Sequence, residues 1–266
     1  MTIVKFSKAN AKTEALKQVD ELKPYLEGKR KIYSLDLLSG YSCPYAHDCL
    51  SKAVADENGK RKIKDGPHTK FRCFSASQEV QYTNVYNSRK HNFDTLRGLH
   101  VNDMIALLNR SMPSNLGICR IHVAGDFFSP EYMLAWITMA MMHKDRLFYA
   151  YTKSLKYWLK HWHMIDLLPN FVLTASYGGR NDNLISEHAL RCTKVVFSEA
   201  EAYKLGLEID HDDSHAARPS LKDQDFALLI HGTQPKGSEA SEALRALNGK
   251  GSYSRKKGLT LEKAMV

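Results

Sequence analysis

From residue 118 onwards, short apolar segments alternate with longer amphipathic segments along the chain. The apolar segments have the length of buried strands, and the segments between them have helical periodicity. This alternation predicts a parallel sheet, because parallel strands are joined by right-handed crossovers, usually helices. With an earlier apolar segment, the predicted strands number six and span residues 32–38, 118–125, 147–152, 171–176, 194–198 and 226–231.

Six parallel strands suit either an open α/β sheet or an incomplete TIM-type barrel. We favour a partial TIM-type (βα)6 barrel in a single α/β domain over residues 1–266. A helix, broken near Pro24, is predicted within the first thirty residues. Residues 41–112 or so form a cysteine-bearing insertion after the first strand, with a Gly- and Lys-rich excursion at 57–68. Residues 232–266 form a basic C-terminal tail.

Polar residues follow the predicted strands, whereas the strands themselves are apolar. Reactive groups of parallel α/β proteins gather beyond the carboxyl ends of the strands, so we predict the functional site at that edge. The candidate cofactor-binding residues there are Gly125, Asp126, Thr152, Ser176, Ser198 and His231. The candidate catalytic residues are Asp126, Tyr151 and Lys153.

The same rule divides the five cysteines into two groups. Cys43 and Cys49 follow the first strand at the site edge, and Cys73 can return to that loop from the insertion. Cys119 and Cys192 begin their strands at the opposite edge. A strand of seven residues spans about 20 Å or more, so these two cannot readily reach the same metal. We interpret them as small buried core residues.

Three thiols on a loop and its return segment suit a soft metal centre. In a reducing cytosol, cysteines are more often buried, catalytic or metal-bound than disulfide-bonded. Zinc usually takes four ligands, and His47 or His68 can supply the fourth. An iron–sulfur cluster tolerates irregular spacing and can keep one iron open. The spacing alone leaves iron–sulfur, zinc and no metal as alternatives.

The net charge is +9, from 38 Lys and Arg against 29 Asp and Glu. A basic patch attracts nucleic acid or another polyanion, and it is also typical of a solvated surface, so nucleic acid is a candidate partner. No apolar run reaches the roughly 18–20 residues that cross a bilayer, and the N-terminal sequence lacks the features of a signal peptide. We therefore expect a cytoplasmic protein without membrane contact. Two segments are especially basic: Lys60, Arg61, Lys62, Lys64, Lys70 and Arg72, and then Arg255, Lys256 and Lys257.

Two further loops carry polar groups. Residues 211–215 (HDDSH) place four potential ligands in five positions, which fits a metal site or a hydrogen-bonding loop whose acids pair with Arg218. Residues 231–238 follow the last strand and precede a helix, so their amides and Lys236 can hold an anion or form a plain turn. They lack the Walker order of a nucleotide-hydrolysing loop.

A three-cysteine loop after the first strand, with Gly125-Asp126 after the second, resembles the radical S-adenosylmethionine enzymes. The resemblance implies a [4Fe-4S] cluster on Cys43, Cys49 and Cys73. It also implies S-adenosylmethionine as a candidate ligand of the open iron, with its amino group met at Gly125-Asp126. The cysteine spacing differs, because that superfamily uses C-x3-C-x2-C.

A closer resemblance, to the phage gene-product-88-like family, covers nearly the whole chain. It implies a viral origin and action inside the cytoplasm of an infected bacterial cell. The segments that carry it are SCPYAHDC, FRCFSASQEVQYTNVYNSRKHNFDTL, RIHVAGDFFSPEYMLAW, FYAYTKSLKYW, DHDDSHA and LLIHGTQPKGS.

We therefore expect a [4Fe-4S] phage protein, a redox or radical-type enzyme with its cluster at the carboxyl-end mouth of the barrel. The alternative is a zinc-stabilised, basic nucleic-acid-binding protein without catalysis.

Overall fold

The computed structural model describes residues 2–247. Its main sheet has eight strands in the order β1-β2-β5-β6-β7-β8-β10-β9, and β3 and β4 form a separate antiparallel ribbon. β1 is antiparallel to β2, and every other pairing in the main sheet is parallel. The prediction of a mostly parallel α/β sheet is thus confirmed. The strands are β1 (Phe6–Lys8), β2 (Lys31–Leu35), β3 (Ser51–Ala55), β4 (Arg61–Asp65), β5 (Leu116–Ile121), β6 (Leu147–Thr152), β7 (Phe171–Ser176), β8 (Cys192–Val196), β9 (Glu208–Ile209) and β10 (Phe226–Leu229).

Helices connect the parallel strands, as the alternating pattern predicts. They are α1 (Ala11–Glu14), α2 (Lys23–Leu26), α3 (Phe74–Gln81), α4 (Thr83–Leu96), α5 (Val101–Ser111), α6 (Pro130–Met142), α7 (Leu155–Lys160), α8 (Trp162–Asp166), α9 (Asn183–Glu187), α10 (Glu199–Lys204), α11 (Ser214–Ala217) and α12 (Glu239–Ala246).

The sheet is open. β1 and β9 form its two edges and do not pair with each other in the part of the chain that the structure describes. β1 also adds an antiparallel edge strand that the sequence pattern did not predict. The sheet therefore does not close into a barrel over residues 2–247. The main sheet is open and mostly parallel.

The N-terminal helix is a wrong prediction in part. Asn10 caps α1 through its side chain, but Val19 is extended and separates two 3-10 turns, so no continuous helix forms. Pro24 lies in the first turn of α2, where proline is tolerated, rather than ending a helix. The apolar face is nevertheless buried, because Leu16 and Leu22 are fully enclosed on one face of the sheet.

Both faces of the central strands are covered, as expected for parallel sheets. Helices α5 and α6 lie over one face, where Leu107 and Trp136 join the largest core cluster. The N-terminal segment and α11 cover the other face around Tyr149. With both faces filled, loops after the strands are left to form a site at the carboxyl edge.

The predicted irregular excursion at 57–68 is instead part of the β3–β4 ribbon. Its turn is built by Asp56, whose carboxylate accepts hydrogen bonds from the Asn58 and Lys60 amides at 3.1 and 2.9 Å. Gly59 takes a φ of +75° there. The Asn58-Gly59 pair is a common hairpin signal, so the sequence did contain the necessary information.

The predicted C-terminal tail begins with structure. Ser238 caps α12, accepting a hydrogen bond from the Ser241 amide, and Ala240 packs into a third apolar cluster. Residues 248–266, with the basic run at 255–257, lie outside the described residues. The prediction of one domain over 1–266 therefore stays a prediction.

His122, which follows β5, is expected to make the stability of the protein depend on pH. Burial, and to a smaller extent the charge of Arg120, lowers its pKa to about 3. The unfolded histidine titrates near 6.5, so between these values the unfolded state binds more protons and stability falls as the pH falls. From pH 6.5 to 4.5, His122 alone removes about 2–3 kcal/mol from the free energy of unfolding.

We expect urea unfolding of His122→Asn to show a smaller stability loss between pH 6.5 and 4.5 than the wild type shows. Asn tolerates the φ of +71° at this position. Equal losses in both proteins would contradict the assignment.

Candidate metal centre at the carboxyl edge of the sheet

The structure brings Cys43, Cys49 and Cys73 together. Two lie in the loop after β2 and the third lies directly before α3, and all three are free, half-buried thiols. Burial raises the pKa of each thiol, and for Cys73 it does so to about 11. The negative charges of Cys73 and Cys49 raise the pKa of Cys43 further, and that of Cys49 raises the pKa of Cys73. The three thiols therefore lie within electrostatic range of one another.

A backbone amide donates to one of these sulfurs, and two amides lie near a second. The Gly40 amide donates to Cys43 Sγ at 3.4 Å. Cys73 is the N-cap of α3, where its carbonyl oxygen accepts from the Ala76 amide at 3.2 Å and its sulfur makes no capping hydrogen bond. The Ser75 and Ala76 amides near the sulfur oppose the rise in its pKa. Donors of this kind favour thiolates, the form in which cysteine binds metals.

The cysteine loop is anchored across the sheet edge by the loop after β7. The amides of His47 and Asp48 both donate to the Gly178 carbonyl, at 3.1 and 3.0 Å. The Arg180 amide in turn donates to the Tyr45 carbonyl at 2.9 Å. Strand ends far apart in sequence thus fix where the first two cysteines lie.

The segment that carries Cys73 is held by Gln234. The Arg72 amide donates to the Gln234 side-chain oxygen at 2.7 Å, and the Gln234 amide group donates to the His231 carbonyl at 2.8 Å. Gly232, at a φ of +78°, has no room for a side chain, because an added Cβ would lie 2.9 Å from the Phe74 ring. The loop after β10 therefore positions the third cysteine.

Gly125, a predicted cofactor-binding residue, packs tightly under the cysteine loop. Its φ is +94°, and an added Cβ would lie 2.6 Å from Ser42 Oγ and 2.8 Å from Leu37 Cβ. The absence of a side chain therefore lets the loops after β2 and β5 meet, and no contact in the structure assigns it a ligand.

We expect Gly125→Ala to lower the free energy of unfolding by about 3 kcal/mol or more, because backbone strain and steric overlap add. Gly28→Ala is the matched control: Gly28 has a φ of +65°, with no atom within 4 Å of an added Cβ. Strain alone predicts a loss of about 1–2 kcal/mol there. Denaturant unfolding of both variants measures the difference, and equal losses would show that the overlap is relieved without cost.

Asp126 and Thr152, two further predicted residues, join the ends of β5 and β6. Asp126 Oδ1 accepts hydrogen bonds from Thr152 Oγ1 at 2.6 Å and from the Phe127 amide at 2.7 Å, and Oδ2 accepts one from the Lys153 amide at 2.8 Å. Burial raises the Asp126 pKa to about 6. The Asp126 charge also raises the pKa of Cys43.

A cavity of about 180 Å³ opens beside the cysteines at the carboxyl edge. Its wall combines two thiols with cationic and polar groups from four strand ends. Among the residues that line it are Cys49, Cys73, Arg120, Lys153, Ser176 and His231.

The cavity is electropositive. Lys153 Nζ donates to Ser176 Oγ at 2.6 Å and to the Tyr177 carbonyl at 2.7 Å, and its charge opposes the rise in the Cys49 pKa. Burial, aided by the charges of Lys12 and Arg120, lowers the His231 pKa to about 4, so this imidazole is neutral at pH 7. The arrangement suits an anionic occupant.

A buried charge cluster lies next to the cavity and contains Tyr151. Asp213 accepts from Lys12 Nζ at 2.9 Å and from the Tyr149 hydroxyl at 3.1 Å, and it pairs with Arg120. Burial raises the Asp213 pKa, but the charges of Arg120 and Lys12 outweigh this and hold it well below its usual range. The Tyr151 hydroxyl also reaches Asp213, at 3.4 Å.

This cluster identifies residues 211–215 as a hydrogen-bonding loop. His215 Nε2 lies 3.0 Å from Glu208, and Asp213 is the counter-ion of the buried cations. The expected pairing of its acids with Arg218 is wrong, because Arg218 bonds Glu21 at 2.8 Å instead. Ser198, also predicted for the site, caps α10 by accepting from the Glu201 amide at 3.1 Å.

Sequence reasoning missed Arg120 and Glu79. Arg120 lines the cavity, and it interrupts the otherwise apolar β5, which is the signal that could have revealed it. Glu79 is fully buried in α3 and accepts from the Ser39 amide at 3.0 Å and from Arg89 at 3.2 Å. It therefore anchors the start of the cysteine loop.

Among residues 2–247, no group of three or more His, Cys, Asp or Glu side chains is close enough to hold a single metal ion. The predicted fourth zinc ligands, His47 and His68, stack on each other with ring centres 4.7 Å apart, and His47 bonds Asp48 at 2.7 Å. Within the same residues, no helix is long and apolar enough to cross a membrane.

No solved structure matches the chain. The Gene 88 protein of Mycobacterium phage D29 is 32% identical over 90 residues, which are 30% of this chain and 38% of that protein. The Gene 88 protein of Mycobacterium phage L5 is 31% identical over the same shares. The chain thus matches well under half the length of these relatives. The profile of the family described as Gene product 88 matches residues 4–249, so the chain belongs to the gene product 88 family.

Proposed function

We propose that the chain binds a [4Fe-4S] cluster through Cys43, Cys49 and Cys73 at the carboxyl edge of its sheet. The observation that carries the proposal is the placement of three free thiols, two in the loop after β2 and one directly before α3, with Cys49 and Cys73 in the wall of one cavity. Burial raises the pKa of each thiol. Such thiols keep their protons unless metal replaces them. The Gly40 amide that donates to Cys43 is the kind of contact that cluster thiolates use.

The arrangement favours a cluster over a single ion. A cluster attaches each thiolate to a different iron, so its ligands stand further apart than those of zinc. Three thiolates make the cluster anionic, and Lys153 and Arg120 supply compensating positive charge.

Three protein ligands leave one iron open, and the cavity of about 180 Å³ beside Cys49 and Cys73 can hold a small ligand there. Redox or radical-type chemistry at this iron is the activity we propose. When bound, the cluster would supply electrons, while Lys153, Ser176 and His231 would bind and orient the ligand. The sheet is open, and its description as a partial TIM-type barrel is likewise a proposal.

S-adenosylmethionine is a narrower proposal. The comparisons do not support the radical S-adenosylmethionine resemblance, and both oxygens of Asp126 already accept hydrogen bonds. A change in the paramagnetic resonance spectrum of the reduced cluster on adding S-adenosylmethionine would support it. An unchanged spectrum, with no heat of binding, would restrict the proposal to another ligand.

The absorption spectrum tests cluster binding. Protein purified without oxygen should show a broad brown band near 400 nm that bleaches on reduction. The alternative, a zinc-stabilised nucleic-acid-binding protein, predicts a colourless protein.

We infer a bacteriophage origin from the relatives, which are proteins of two mycobacterial phages. Action in the host cell cytoplasm follows as a proposal. Fractionation of infected cells tests it, and recovery of the protein in the membrane pellet would contradict it.

A further inference from the structure

The outer face of the β3–β4 ribbon carries three lysines. Lys52 lies directly opposite Lys64, and Val54 lies opposite Lys62. Opposed residues share a face and every second residue returns to it, so these side chains project from one side. Lys62 and Lys64 are exposed, and Lys52 is half-buried.

Two of these lysines, Lys52 and Lys64, oppose each other across the ribbon. Like charges directly opposite each other are destabilising in an antiparallel pair. Among residues 2–247, no carboxylate lies within 4.0 Å of the ammonium group of Lys52 or Lys64, and Lys62 reaches only Asp56, at 3.7 Å. An anionic partner would relieve the repulsion that the fold leaves in place.

An exposed aromatic ring lies beside the lysines. Lys52 Nζ is 4.8 Å from the ring centre of Tyr41, which is 42% exposed. Basic side chains combined with an exposed ring are the features that bind single-stranded nucleic acid, because phosphates and bases are both recognised. An acidic protein or an anionic membrane would use the charges without needing a stacking ring.

The opposite face of the ribbon fixes it against the candidate metal centre. Ser51 and Ala53 are fully buried, and Ser51 Oγ accepts from the Cys73 amide at 3.3 Å. An added Cβ on Gly40 would lie 2.5 Å from the Ser51 carbonyl, so the turn before Cys43 touches the ribbon directly. A nucleic acid bound on the outer face would therefore lie across the ribbon from the candidate metal centre.

We propose that the outer face of the β3–β4 ribbon, with Tyr41, binds single-stranded nucleic acid. Lys52, Lys62 and Lys64 contact phosphates, and Tyr41 stacks on a base. The proposal goes beyond cluster binding and does not depend on it.

Fluorescence anisotropy with a labelled single-stranded DNA of about 20 nucleotides tests this surface on the full chain. The ribbon variant is K52E/K62E/K64E, and the control is K160E/K204E/K222E, whose lysines are also exposed. Both variants change the net charge equally. We expect the ribbon variant to weaken binding by about 100-fold and to lower the salt slope by about 2, because three phosphate contacts are lost. The control should change binding less than about threefold.

Tyr41 separates nucleic acid from other polyanions. We expect Tyr41→Ala to weaken binding about tenfold, and Tyr41→Phe to keep it, because the ring supplies the stacking. Circular dichroism establishes that each variant is folded. Absence of wild-type binding, equal losses in the two triple variants, or unchanged binding by Tyr41→Ala would each overturn the proposal. So would stronger retention on anionic vesicles than on DNA.

Discussion

Replacing any one of Cys43, Cys49 and Cys73 with Ala is expected to remove most of the bound iron and the absorption near 400 nm. Each of the three thiolates would hold one iron, and two remaining ligands leave two irons exposed to loss. The structure places Cys49 and Cys73 in the wall of one cavity and gives Cys43 an amide donor from Gly40. Iron analysis after anaerobic reconstitution measures the effect.

Cys119→Ala and Cys192→Ala are the matched controls. Cys119 is fully buried in β5, and Cys192 begins β8 beside Asp225, whose carboxylate accepts its backbone amide hydrogen. We expect both variants to keep the wild-type iron content at a stability cost of about 1 kcal/mol. Iron loss from either control, with retention in a Cys73→Ala variant, would show that different sulfurs hold the metal.

Asp213→Asn is expected to lower the free energy of unfolding by about 3–5 kcal/mol, because it leaves two buried cations without their counter-ion. Asp213 is fully buried and pairs with both Lys12 and Arg120. It takes a φ of +65°, which Asn also tolerates, so the variant changes charge with little backbone strain. Denaturant unfolding at pH 7 measures the loss.

The control is Asp145→Asn, which breaks a surface pair with Arg30. Pairs of this kind contribute about 0–1 kcal/mol, so a small change is expected. The contribution of Asp213 to the free energy of unfolding should persist down to pH 4, because its folded pKa lies well below the unfolded value of about 3.9. The contribution is lost only as the pH falls toward the folded pKa. A loss under 1 kcal/mol in Asp213→Asn would mean that the cations are solvated.

The core of the sheet was predictable because local pattern and burial agree. Two of the predicted strands, at 147–152 and 171–176, match β6 and β7 to the residue. The N-terminal segment was not predictable in the same way. Its apolar spacing is helical, but tertiary contacts divide it into short turns that still bury Leu16 and Leu22. The pattern therefore predicted the buried face and not the backbone.

The position of the site was predictable from the sequence, whereas the roles of its residues were not. The strand-end rule brings Cys49, Cys73, Lys153, Ser176 and His231 to one cavity. The same rule cannot say which polar groups are used up by the fold. Asp126, Thr152 and Ser198 satisfy neighbouring amides and hydroxyls, and Gly125 permits close packing. The roles of Asp126, Thr152 and Gly125 depend on contacts between strand ends that are distant in sequence, which no local pattern encodes. The Ser198 cap is a local contact with Glu201, three residues on.

Native mass spectrometry of the chain, purified without oxygen, tests the central proposal most directly, because it weighs what the folded protein holds. We predict a mass equal to that of the chain plus about four iron and four sulfide, and loss of this increment in Cys73→Ala. A mass equal to the chain plus one zinc, or the bare chain even after iron and sulfide are supplied, would contradict the proposed cluster.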